Sequence, residues 1–197
     1  MAEAHRILAA RQAWLLGGSR LPQLRRSVAR AALRRGGLEM ASGHDFSFTS
    51  IDGKPIELKQ FAGHPVLLVN VASFCGFTPQ YADLQKLHER YGARGLVVLG
   101  VPSNDFGAQE PKAEPEIAQF CETRYGVSFP LTAKQKVIGP EAHALYKWIA
   151  AEAGEGAAPK WNFHKYLIGK DGSLKGAWPS RVAPMSAEIA EAIDAEL

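Results

Sequence analysis

Two cysteines occur in the 197 residues, and Cys75 stands where a thiol can be made to react. It lies in Asn70-Val71-Ala72-Ser73-Phe74-Cys75-Gly76-Phe77-Thr78-Pro79-Gln80-Tyr81. An apolar run from Pro65 to Val71 ends just before it, and a helix-like stretch opens at Thr78 or Pro79. A turn from strand to helix leaves backbone N–H groups unpaired and pointing outward, where they stabilise an anion. The thiolate is the nucleophile, and a free cysteine titrates near ~8.5, so such a turn favours the reactive form. Alone, a cysteine at a strand end is more often a small buried hydrophobe. The surrounding elements decide between the two.

Those elements follow from periodicity. Residues 46–49 and 56–58 form a hairpin about the Asp52-Gly53 turn, and residues 58–61 a helical turn. Residues 65–72, Pro-Val-Leu-Leu-Val-Asn-Val-Ala, form a strand buried on both faces. Tyr81, Leu84, Leu87 and Tyr91 repeat at helical spacing over 81–91. Residues 96–101 form a second buried strand and residues 102–115 a loop. Residues 115–125 form a helix with Ile117, Phe120, Cys121 and Tyr125 on one side. A further helix is predicted over 140–153, with Ala144, Leu145, Trp148 and Ile149 inward. A loop, 154–159, then leads to a second hairpin, 164–168 with 173–178. A terminal helix spans 186–197, with Ser186 as N-cap and Glu188 in the first turn. Strand, helix, strand, helix, hairpin, helix is the order of an α/β thioredoxin-like fold, with a mixed sheet around a parallel central pair. The reactive cysteine of that fold sits in the turn after its first central strand, where Cys75 is. Thr78 stands where a Cys-x-x-Cys motif would place its second thiol.

Length and composition fit one domain with extra sequence. Hydrophobic residues make up 46%, enough for a core. No run approaches the ~18 apolar residues of a membrane span, so stable membrane insertion is not expected. Two cysteines make no disulfide scaffold and fit a reducing compartment. The net charge of +3 conceals two parts. Residues 1–39 carry eight arginines against two acids, +6, leaving 15 basic and 18 acidic groups, −3, in the remainder. That acidic remainder gives no footing for nucleic acid. The Arg/Ala-rich extension, residues 1–39, is expected to be disordered or loosely helical. It reads as an over-long start before Met40, an organelle transit peptide, or a surface-binding helix. The domain proper is residues 40–197, expected in the cytoplasm, or in an organelle if the extension is a transit peptide.

Three segments combine: Asn70 to Tyr81, the run Val-Pro-Ser-Asn-Asp-Phe-Gly-Ala-Gln-Glu-Pro from Val101, and Trp-Asn-Phe-His-Lys-Tyr-Leu-Ile-Gly-Lys-Asp-Gly from Trp161. In this order and spacing they resemble the glutathione peroxidase family, in its cysteine-containing branch. The resemblance runs from about Phe46 to the end. It implies a peroxidatic Cys75 completed by Gln109, Trp161 and Asn162. A thiolate attacks a peroxide oxygen and expels water or alcohol. Backbone N–H groups after Cys75 and the Asn162 amide can donate to sulfur, while Gln109 and the Trp161 indole polarise the peroxide. None of these donors carries a full charge. Cys121 matches the region of the resolving cysteine in cysteine-type members. There it forms a disulfide with the peroxidatic residue, which thioredoxin reduces.

The resemblance thus implies a peroxidase acting on hydrogen peroxide and organic or lipid hydroperoxides, with no cofactor. Thioredoxin is the expected reductant and glutathione the alternative. A disulfide needs Cα atoms within ~7 Å, so the helix carrying Cys121 would have to unwind locally. Ser103 replaces a cysteine, Asp105 a glutamine and Ala108 a glycine common among relatives. The loop at 154–159 lacks the insertion of tetrameric relatives, which points to a monomer or weak dimer. Beyond residue 39 only Arg90, Arg94, Arg124 and Arg181 occur, few for a glutathione site. The histidines show no metal spacing, and His164 is expected at the surface. Two other functions stay open: a redox relay to a partner protein, and a structural module with an inert Cys75.

Overall fold

The apolar run ending near Cys75 becomes the centre of a four-stranded sheet. The computed structural model describes residues 41–197; the extension 1–39 and Met40 lie outside the described residues. Strand β3 (Val66–Val71) is buried at every position. It pairs in parallel with β4 (Val97–Pro102) and antiparallel with β5 (Lys165–Ile168), which pairs antiparallel with β6 (Leu174–Trp178). The order is β4-β3-β5-β6. A separate hairpin, β1 (Ser47–Thr49) with β2 (Pro55–Glu57), precedes it, and residues 58–61 form a 3-10 turn.

Strand side chains alternate between faces, so β3 feeds two cores. Leu67, Val69 and Val71 meet α1 (Gln80–Tyr91), α2 (Glu114–Tyr125) and α4 (Ala187–Glu196) through Tyr81, Leu84, Ile117, Cys121, Ile189 and Ile193. Val66 and Leu68 meet the hairpin and α3 (Ala144–Ala153) through Phe48, Ile56, Leu145 and Ile149. Both cysteines belong to the first core. The arrangement is the mixed sheet between helices that the periodicity predicts.

Some expectations need correction. Helix α3 begins at Ala144, not Pro140, because the His143 ring caps it: Nδ1 accepts the Leu145 N–H at 3.2 Å. Within α3, Ala144 is exposed and Tyr146 is buried instead. Ser186 holds the N-cap position of α4, yet its hydroxyl makes no capping bond. Phe120 and Tyr125 are half-buried, leaving Ile117 and Cys121 as the buried residues of α2. His164 is buried, not exposed, and its ring stacks on Tyr166 at 4.9 Å.

The stretch between α2 and α3 also has a role that its polar composition hides. Residues 130–132 lie against β4: Gly100 N–H donates to Pro130 O, and Thr132 N–H to Gly100 O. Ile51 N–H donates to Leu131 O, tying the hairpin to the sheet edge. Gly100 is required by this approach, since a Cβ there would fall 2.5 Å from Leu131 Cδ2 and 3.3 Å from Phe129 Cε2. Gly100→Ala should therefore lower stability by about 1–3 kcal/mol, the ordinary cost of overpacking. Urea unfolding measures this as a lower midpoint at unchanged slope.

Burial also predicts a pH dependence. Desolvation, helped by Lys165 and Lys160, lowers the His164 pKa to about 4. Desolvation lowers that of His143 as well, against its bond to Ser47 O. The folded state thus holds both rings neutral while the unfolded chain takes up protons below about 6.5. Stability from this source is complete above that pH and is lost as pH falls towards 4, by about 3 kcal/mol for His164. His164→Phe, which keeps the stack on Tyr166, should flatten part of the decline when unfolding is followed between those limits.

Candidate active site

Strand β3 ends at Val71, and the polar groups of residues 72–78 must then be satisfied inside the molecule. Thr78 does most of this. Its hydroxyl accepts the Cys75 N–H at 2.9 Å and donates to Ala72 O at 2.9 Å, while its own N–H donates to Cys75 O at 3.0 Å. The loop is closed on itself, and α1 begins only at Gln80. Within it Cys75 is 8% exposed, and the Phe77 N–H points at Sγ from 3.4 Å. A backbone donor after the cysteine thus faces the sulfur, as the turn geometry predicts.

The other residues come from two different chain segments. Gln109 lies in the loop after β4, and Trp161 and Asn162 just before β5. Asn162 is fully buried, and its amide donates to Gln109 Oε1 at 2.9 Å rather than to the sulfur. Its Oδ1 has no protein partner. Trp161 is 39% exposed, its ring 5.8 Å from that of Phe106 in the Gln109 loop. Asn70, inside β3, ties the strand to the Trp161–Phe163 segment. Its amide donates to Trp161 O at 3.0 Å, and its carbonyl accepts the Phe163 N–H at 2.6 Å. The Gln109 carbonyl accepts the Phe74 N–H at 3.1 Å, closing the loop onto the Cys75 turn. The structure therefore joins the Cys75 turn to Gln109, and Gln109 to Asn162, through neutral donors and acceptors, with the Trp161 ring beside Phe106 of the Gln109 loop.

Two backbone positions here lie in the left-handed region, Ala108 at φ 53° and Phe163 at φ 65°. A residue with a Cβ is disfavoured at either, which gives a physical reason for glycine at the first. Phe163 is held by its bond to Asn70, by the Tyr81 ring edge-on at 5.4 Å, and by the Lys165 ammonium, which donates to Phe163 O at 2.7 Å. Lys165 is fully buried, and desolvation lowers its pKa to about 7. Asp105 braces the outer side: its carboxylate accepts from Val137 N–H at 2.7 Å and pairs with Lys136 at 3.1 Å.

Glu110 follows Gln109 and is fully buried. It accepts from the Ser73 hydroxyl at 2.9 Å, and its N–H donates to Asn104 Oδ1 at 2.8 Å. Desolvation raises its pKa against the pull of Ser73, Lys134 and Lys112. Thr78, Asn70, Ser73 and Glu110 all lie inside the first two of the three motifs already singled out. Nothing in residue type alone marks them, because their role is to satisfy backbone and loop.

Cys121, on α2, is 1% exposed, and both thiols are free. Burial pushes the Cys121 thiol up to about 11. The Tyr81 hydroxyl beside it opposes this and Glu110 adds to it, though the hydroxyl lies outside hydrogen-bond geometry. Cys121 is thus a protonated thiol at neutral pH. It borders an open cavity of about 280 Å³ walled by Ala118, Val127, Phe129 and Leu131. Among the described residues, no group of histidine, cysteine or carboxylate side chains could hold a metal ion, and no helix is long and apolar enough to cross a membrane.

The Thr78 hydroxyl serves two buried backbone groups, so removing it should be costly. Thr78→Val, nearly isosteric, leaves both unpaired and should lower stability by about 2–4 kcal/mol, whereas Thr78→Ser should cost about 1 kcal/mol. Chemical denaturation of the two variants checks the order.

Comparison with known proteins agrees with this geometry. The glutathione peroxidase family model matches residues 43–150. Hydroperoxy fatty acid reductase gpx1 of Synechocystis is 47% identical over 149 residues, 72% of this chain and 88% of its own. The glutathione peroxidase-like peroxiredoxin GPX5 of Chlamydomonas reinhardtii is 41% identical over 145 residues, 73% and 90% of the two chains. The crystal structure of Trgpx in apo form superposes with a TM-score of 0.62 at 37% identity, covering 78% of this chain and 96% of that one. A thioredoxin family protein from Chlorobium tepidum shares the fold at a TM-score of 0.55 and 19% identity, covering 77% and 92%. The fold is thioredoxin-like, and the chain belongs to the glutathione peroxidase family, whose chemistry is that of a peroxidase.

Proposed function

We propose that this chain is a thiol peroxidase in which Cys75 is oxidised by a hydroperoxide and Cys121 resolves it. The observation that carries this reading is the Cys75 loop itself. It presents a buried sulfur to the Phe77 N–H and is clamped to the Gln109–Asn162 pair. The Cys75 sulfur attacks the peroxide, an S–O bond forms, the O–O bond breaks, and the leaving oxygen departs protonated as water or alcohol. Gln109 and Trp161 line the place where that oxygen's charge develops, and fixed dipoles there act most strongly where water is excluded. The Cys121 thiol then displaces the sulfenic hydroxyl as water. An external dithiol reduces the disulfide.

Organic and lipid hydroperoxides fit the surface beside Cys75. Phe74 is 54% exposed and Trp161 39%, an apolar rim that an acyl chain can cover. A relative is named for hydroperoxy fatty acid reduction, which supports the same substrate class here. Thioredoxin is the proposed reductant, ahead of glutathione. Cys121 stands in the first core with Cys75, and the described residues carry only four arginines to receive the carboxylates of a tripeptide thiol. The short 154–159 loop supports a monomer or weak dimer.

Cys75→Ser should abolish peroxide turnover. Cys121→Ser should stop thioredoxin-supported turnover yet leave a single oxidation at Cys75. Steady-state peroxide consumption with thioredoxin or glutathione as sole donor checks both. A Cys121→Ser variant with full thioredoxin-coupled activity would mean that another group resolves Cys75.

A further inference from the structure

The two cysteine-bearing segments also meet through Phe74, Lys112 and Phe120, of which only Phe74 enters the substrate rim above. Phe74 precedes Cys75 and Phe120 precedes Cys121. Their rings stack with centroids 6.5 Å apart and planes inclined by 28°. The Lys112 ammonium lies over both, 5.3 Å from the Phe74 centroid and 5.5 Å from that of Phe120. Lys134 donates to the Lys112 carbonyl at 2.5 Å, which tethers the backbone beneath the cation. A cation within ~6 Å of a ring face is attracted by its quadrupole. This cluster sits at the surface, since Phe74 is more than half exposed.

Its position sets the direction in which Cys121 faces. Successive helical side chains point about 100° apart. With Phe120 turned to Phe74, Cys121 is turned into the core beside Tyr81. Phe120 thus occupies the side of α2 that faces the Cys75 segment. A sulfur–sulfur bond is only ~2 Å long, and both thiols are free; if Cys121 is the resolving thiol, α2 has to turn it out of its place beside Tyr81 to meet Cys75. Phe120 must then leave Phe74. On its other side α2 borders the open cavity beside Ala118 and Cys121, and its N-cap residue, Ala113, has no side-chain acceptor.

We propose that Phe74, Lys112 and Phe120 form a latch that keeps α2 closed and sets the rate at which Cys121 reaches oxidised Cys75. The proposal rests on the reading of Cys121 as the resolving thiol. Lys112 is a positioning residue, acting on the sulfurs through the two rings. In the gated step the Cys121 sulfur bonds to the Cys75 sulfur and the S–OH bond breaks. The hydroxyl leaves as water with the Cys121 proton, so the step needs no outside electrons. Each cation–π contact at an exposed site favours the closed arrangement by about two- to five-fold. The ring stack adds a factor of similar size.

The test mixes the reduced full chain with one equivalent of hydrogen peroxide and quenches with acid at intervals. Mass analysis after alkylation then separates thiol, sulfenic acid and disulfide forms. Loss of the Cys75 thiol reports the first oxidation, and disulfide growth reports the gated step. Lys112→Met and Phe120→Leu should form the disulfide about tenfold faster than the parent. Lys112→Arg, which keeps a cation over the rings, should stay within about twofold of it. A Lys112→Met rate within about twofold of the parent, or below it, overturns the latch, as does a Lys112→Arg rate equal to the Met variant's. If the parent oxidises Cys75 but forms no Cys75–Cys121 disulfide, the resolving role of Cys121 fails and the latch with it. If the parent forms the disulfide at a rate indifferent to Lys112, the latch alone fails.

Discussion

The site depends on how a fully buried strand is brought to an end. β3 has no solvent on either face, so the polar groups of the turn that follows must be paired by protein. The Thr78 hydroxyl accepts the Cys75 N–H and donates its own O–H to Ala72 O. That leaves the next donor, the Phe77 N–H, directed at the sulfur. A loosely solvated loop would expose the thiol without a fixed donor. Here burial forces the backbone into one arrangement, and that arrangement gives the sulfur its polar contact.

The same constraint organises the neighbouring segments. Asn70 is a polar residue in a fully buried strand, tolerable because it pairs with the backbone on either side of Asn162. Glu110 and Lys165 are buried ionisable groups, each with backbone or hydroxyl partners and no opposite charge bonded to it. Their bonds fix the loop carrying Gln109 and the left-handed Phe163 beside Asn162. Strained backbone persists only where its surroundings over-determine it, and at Phe163 three independent contacts do so. Charges support the frame from behind, while the groups around Cys75 itself are neutral dipoles.

Much of this was legible in the residues. Strands β3 and β4 are apolar runs, and α1 shows its period through Tyr81, Leu84, Leu87 and Tyr91, so the layer order follows from pattern alone. The three motifs located Cys75, Gln109, Trp161 and Asn162 because residue types such as cysteine and tryptophan carry their chemistry visibly. Other features depend on tertiary pairing. His164 carries a polar ring that reads as a surface side chain, yet it enters a strand buried on both faces, and its ring stacks on Tyr166. The start of α3 was masked because a capping histidine is indistinguishable in sequence from a helical one. The sheet-edge contact of residues 130–132 arises from the absence of a side chain at Gly100. Thr78 gave no sign of its role, since a threonine before a helix reads as an ordinary turn residue.

The central claim is that Cys75 and Cys121 form one redox pair, with Cys75 oxidised first. Its most direct test is peptide mapping of the reduced chain after exposure to one equivalent of a fatty acid hydroperoxide, with thiols blocked before digestion. The account predicts a single cross-linked species joining the Cys75 and Cys121 peptides, formed with one equivalent of the hydroxy acid. Recovery of both cysteines as blocked thiols, or oxidation confined to Cys121, would contradict it.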